Sequence, residues 1–116
     1  MIRLTAMLAR NPALSPAVFE SHWRTTHAEL VRSLPGAKDW IVRYEQHPRL
    51  QAPGHWTGSD GFDGITVQWF RDLESLEAMI QDPDYQHLVA PDERYLLDMP
   101  GSAFMLTTEP RLIIGD

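Results

Sequence analysis

The chain contains no cysteine, which excludes disulfides, thiolate nucleophiles, thiolate-ligated zinc and iron–sulfur clusters. Positive charge is also scarce. Lys and Arg total 10 against 16 Asp and Glu, a formal net charge of −6 with a pI near 5.2. With no basic cluster to displace counterions from phosphates, no nucleic-acid partner is expected, and no basic patch suits a membrane surface. Long hydrophobic runs are missing as well. The apolar stretch over residues 2–9 is interrupted by Arg3 and Thr5 and is too short and mixed for a signal peptide or a membrane span. The expected location is therefore the cytoplasm.

What remains is an ordinary globular composition, 43% hydrophobic and 22% charged over 116 residues, enough for one core and one domain, residues 1–116. Residues 2–9 alternate, with Ile2, Leu4, Ala6 and Leu8 on one side, and read as a strand. Ser15-Pro16 is an N-cap followed by a first-turn proline, so a helix should run from there to about Leu34. Residues 39–47 predict a second strand with Trp40, Val42 and Tyr44 on one face. Residues 48–61 form a long Gly/Pro loop that carries His55 and Trp56. A third strand spans 63–71, with Ile65, Val67 and Trp69 on one face. Asp72 caps a helix to about Gln81 with Leu73, Leu76 and Ile80 inward. Residues 85–97 predict a helical stretch broken at Pro91, and 102–108 a final strand. The order β-α-β-β-α-β is the split βαβ arrangement of ferredoxin-like α+β folds. A four-stranded sheet covered on one side leaves a bare face, which predicts a homodimer packed sheet to sheet.

The first helix carries the chemistry. At about 100° per residue, Phe19, Trp23, Leu30 and Leu34 share one stripe, with His22 along one edge and His27 along the other. Histidine has a reference pKa near 6.5 and suits proton transfer at neutral pH. A boundary histidine satisfied by a carbonyl or water would look the same on this pattern. His22 and His27 stand five apart, about 140° around an ideal helix, so a shared metal ion is not expected, and no other acidic or histidine spacing suggests one.

The residues that resemble a known family are Phe19, His22-Trp23, His27-Ala28 and Leu30, then Leu34-Pro35-Gly36 and Arg43-Tyr44-Glu45-Gln46-His47. Asp63-Gly64-Ile65, Trp69-Phe70, the run from Asp92 to Asp98, and Thr108-Glu109 follow in order. Together they resemble the EthD-domain family of the dimeric α+β barrel group, across essentially the whole chain. The resemblance implies that fold, and a pocket between helices and sheet that works without metal or organic cofactor. Relatives of this kind include muconolactone-type isomerases, polyketide dehydratases and decarboxylases, and a protein associated with ether degradation. In the methylmuconolactone isomerase branch, a first-helix histidine and a second-strand tyrosine serve the active site. Those positions match His27 and Tyr44, whereas His22-Trp23 is closer to the EthD branch.

These features predict a lyase or isomerase of dehydratase, cyclase or lactone-isomerase type, acting on a small cyclic or polyketide-derived carbonyl compound. His27 would be the general acid/base, and Tyr44 a donor to a developing oxyanion. Trp23, Trp69 and His22 would shape the pocket, with His55 and Trp56 as a lid. Asp63 or Glu109 at strand ends would orient a histidine or simply face water, and the Asp92-Glu93-Arg94 run reads as a solvated helix start. The rival readings are a non-catalytic small-molecule-binding or accessory module, and a haem-binding or monooxygenase-like barrel.

Overall fold

The computed structural model describes residues 1–51 and 61–116. Strands β1 (Ile2–Leu8), β2 (Ile41–Pro48), β3 (Gly64–Phe70) and β4 (Ala103–Thr107) form one antiparallel sheet in the order β2-β3-β1-β4. Helical arms connect β1 to β2 and β3 to β4. This is the ferredoxin-like α+β arrangement.

The first arm starts as Ser15-Pro16 dictates. The Ser15 hydroxyl accepts the Val18 N–H at 3.1 Å, and Pro16 opens α1 (Pro16–His22). The helix then widens into a π-helical turn, Trp23–His27, before α2 (Ala28–Arg32). Gly36, at φ 84°, reverses the chain into the short α3 (Ala37–Trp40). A Cβ there would meet the Trp40 ring at 2.9 Å, so the position calls for glycine on both conformation and space. In the second arm, Asp72 caps α4 (Leu73–Gln81) by accepting the Ser75 N–H at 2.9 Å. A second π-helical turn, Tyr85–Val89, leads into α5 (Ala90–Leu96).

Three local expectations need correction. Trp40 ends α3 rather than lying on a strand, and a bulge between Ile41 and Arg43 resets the side-chain alternation. Ile41 and Tyr44 thereby share the inner face, and Val42 is exposed. Pro91 does not break the second arm, because it falls in the first turn of α5, where its missing N–H costs little. Leu73 is exposed, while Leu76 and Met79 are buried.

Phe19, Trp23, Phe70 and Leu96 are the largest fully buried side chains, each burial contributing about 1.5–3 kcal/mol. Phe19 and Trp23 stack at 5.5 Å and pack with Ala6, Leu8 and Leu96. Phe70, Leu76 and Met79 form a second cluster. Gly64 lets Trp23 close on the sheet: a Cβ there would stand 2.7 Å from the indole.

The opposite face of the sheet carries Arg3, Trp69 and Arg43 in one row, with both guanidinium carbons 5.4 Å from the Trp69 ring. Edge strand β4 is exposed along its length, as are Leu112, Ile113 and Ile114. Among the described residues, no helix is long and apolar enough to cross a membrane.

Candidate functional site

A cavity of about 480 Å³ opens between the helices and the inner face of the sheet. Aliphatic side chains such as Leu4, Val31, Met79 and Leu106 form most of its wall. Its polar groups are His27, Tyr44, Gln68, Tyr85 and Glu93, and no arginine or lysine among the described residues lines it. The strands supply Tyr44 and Gln68, which are paired directly across β2 and β3. The two π-helical turns supply His27 and Tyr85.

His27 is 6% exposed, so its ring nitrogens need partners. Nδ1 finds one at 2.7 Å in Asp92 Oδ2, and the other oxygen of the same carboxylate lies 2.7 Å from His22 Nε2. A carboxylate oxygen accepts, so each ring presents an N–H to Asp92. That assigns His27 the tautomer whose Nε2 lone pair is free for the cavity. The His22 ring also rests on Tyr95, centroids 5.0 Å apart.

The 140° separation expected for His22 and His27 fails because the intervening turn is π-helical. An i→i+5 turn brings residues five apart onto one side. Gln46 of β2 fastens that turn by donating to the Trp23 carbonyl at 2.9 Å. The spacing argument against a shared partner therefore does not hold, although the shared partner here is a carboxylate. Among the described residues, no group of three or more His, Cys, Asp or Glu is arranged to hold a metal ion.

The neighbouring acid has a different environment. Glu93 lines the cavity, and its carboxyl is pushed above the ordinary range by burial, against the opposing pull of the Tyr85 hydroxyl, which donates to Oε1, and of His27. Burial also raises the Tyr44 phenol, and the nearby Glu93 charge raises it further. Tyr85 is raised for the same two reasons, led by burial. Both phenols thus remain protonated donors at neutral pH. Adjacent carboxylates on α5 accordingly do different work: Asp92 orients imidazoles, and Glu93 faces the cavity beside two phenols.

The structure brings His27 and Tyr44 to one cavity. His22 reaches the site through Asp92 and is not in the cavity wall. Trp23 is a core residue rather than a wall of the main cavity. It borders a gap of about 30 Å³ that His27 and Tyr44 also touch. Trp69 is corrected more sharply. It occupies the other face of the sheet between two arginines and takes no part in this cavity. His55 and Trp56 lie outside the described residues. Asp63 accepts from the Arg10 backbone at 3.2 Å, and Glu109 pairs with the N-terminal ammonium at 3.0 Å, so neither orients a histidine.

The sequence pattern missed Asp92, Glu93 and Tyr85. A signal was present: Val89, Asp92, Glu93 and Leu96 fall at i, i+3, i+4 and i+7, with Val89 and Leu96 buried. Two carboxylates on a buried stripe are not a solvated helix start.

Comparison with known proteins agrees with this architecture. A structure of an EthD-family protein from Bacillus halodurans is 19% identical, with a TM-score of 0.68, covering 95% of this chain and 99% of that one. SnoaB, described as a cofactor-independent oxygenase from Streptomyces nogalater, is 16% identical with a TM-score of 0.62, covering 97% and 95%. A protein from Bacteroides fragilis, described as dimeric with a ferredoxin-like fold, is 11% identical with a TM-score of 0.62, covering 91% and 93%. At these identities the likeness is one of fold. No curated protein matches the chain in sequence. The EthD-domain profile, however, matches residues 11–100, which hold both helical arms with β2 and β3, and the chain belongs to the EthD-domain family.

Proposed function

We propose that this protein is a cofactor-independent lyase or isomerase that moves a proton on a small cyclic or polyketide-derived carbonyl compound. The observation that carries the reading is His27, held at Nδ1 by Asp92 and bordering the cavity with two protonated phenols nearby. His27 Nε2 takes a proton from the carbon next to the carbonyl, and the C–H electron pair becomes the C=C bond of an enolate. Tyr44 donates to the developing oxyanion. The imidazolium then returns the proton to another carbon or to a departing hydroxyl, giving isomerisation or dehydration without net gain or loss of electrons. Among the described residues, no arginine or lysine lines the cavity to pair with a carboxylate, which favours uncharged substrates over carboxylate-bearing lactones.

The test is deuterium exchange. Uncharged hydroxylated cyclic ketones and lactones are incubated with protein in deuterated water, and label at the carbon next to the carbonyl is read by NMR. Exchange that His27→Gln abolishes supports the reading; exchange equal in wild type and variant would overturn it. Binding without exchange would leave a non-catalytic binding module. Oxygen uptake during turnover would instead favour an oxygenase, the activity by which SnoaB is described.

The bare sheet face, the exposed edge strand β4 and the exposed Leu112, Ile113 and Ile114 support a homodimer packed sheet to sheet, as does the dimeric description of the Bacteroides relative.

A further inference from the structure

The proposed reaction gives roles to His27 and Tyr44 but none to His22, whose ring is fixed as closely as that of His27. The two imidazoles lie at equal distances, 2.7 Å, from opposite oxygens of a single carboxylate. Burial falls across the group. The side chain of His27 is 8% exposed, that of Asp92 13% and that of His22 23%. Solvent therefore reaches the group from the His22 side, while the cavity meets it at His27.

From this arrangement we infer that His22 is a positioning residue that sets the base strength of His27 by sharing Asp92 with it. The inference rests on the proposed role of His27 as proton acceptor and adds to it how that acceptor is tuned. One carboxylate carries one negative charge. A proton on His22 uses that charge and weakens what Asp92 offers a proton on His27, and the reverse is equally true. Among the described residues, the other titratable groups beside His27 are Glu93 on α5 and the Tyr44 phenol on β2; beside His22, besides Asp92, is Tyr95 on α5. None of these joins the two rings as Asp92 does.

The sharing has a chemical use. A base in an isomerisation or dehydration must give back the proton it takes. An imidazolium with a carboxylate to itself holds its proton strongly, whereas one that shares the carboxylate releases it more readily. Two hydrogen bonds also hold the carboxylate from opposite sides, which fixes Oδ2 against His27. The π-helical turn is what allows both bonds to come from one helix.

Ring-nitrogen NMR titrations of the full chain, without substrate, test the inference. Wild type should show His22 and His27 titrating as a coupled pair, each curve broadened by the other. In His22→Gln, whose amide can still donate to Asp92 Oδ1, His27 should titrate as a single site about one pH unit higher, a tenfold gain in proton affinity. His22→Phe provides a second variant that also removes the hydrogen bond, and Glu93→Gln serves as a control that leaves the coupling in place. An unchanged His27 curve in both His22 variants, or independent single-site curves in wild type, would overturn the inference. Because the readout needs no turnover, coupling observed in a protein that catalyses no exchange would count against the proposed reaction alone.

Discussion

His27 Nδ1 meets Asp92 Oδ2 at 2.7 Å across sixty-five residues of chain. Replacing that acceptor with an amide presents either an N–H, which forces the ring into the opposite tautomer, or a weaker acceptor. Asp92→Asn is therefore expected to lower turnover in the proposed reaction by about 10²–10⁴-fold while the fold persists. Turnover and far-UV circular dichroism, measured on the same sample, check both halves of that statement.

Glu93 gives a pH-dependent stability. Its carboxyl sits above the ordinary value of 4.5 in the folded state, chiefly through burial. A group raised on folding contributes stability that is present below its unfolded pKa and lost as pH rises through the folded one. Glu93→Gln removes that loss, so its Tm relative to wild type should be higher near pH 8 than near pH 4. Thermal melts at both pH values decide it, and an unchanged difference would show that Glu93 ionises as freely in the fold as outside it.

Gly64 faces the edge of Trp23 so closely that an added methyl group would stand 2.7 Å from the ring. The indole is buried in the core, so the added methyl group forces a shift of ring or strand. Gly64→Ala is expected to cost about 1–3 kcal/mol, read from urea denaturation midpoints at constant m-value.

The open face can be charged without touching the cavity. Val67 lies in the middle of β3, in register with Thr5 and Glu45. Val67→Asp would set a carboxylate in the proposed sheet-to-sheet interface. Light scattering should show loss of the dimer, and an unchanged mass would place the interface elsewhere.

Much of the framework was legible because its causes are local. Ser15-Pro16 and Asp72 start their helices with their own side chains, and the alternation of β1 follows from its neighbours in sequence. The site was legible only in part. His27 and Tyr44 could be placed through the family resemblance, but Asp92 joins them by a contact that no local window contains. Trp69 was misplaced for a different reason: period-two alternation groups residues by face without saying which face the helices cover. Trp40 and Ile41 were displaced by a bulge, and a bulge leaves the composition of a strand unchanged.

The π-helical turn between His22 and His27 also bears on chain length. Such a turn is an α-helical turn holding one residue too many. Removing Thr25 or Thr26, both exposed, would leave the histidines four apart on a regular helix, still neighbours on one side. A deletion inside a helix ordinarily rotates everything beyond it, but here the expanded turn absorbs the lost residue. The helix can therefore be one codon shorter and still present the same pair of rings.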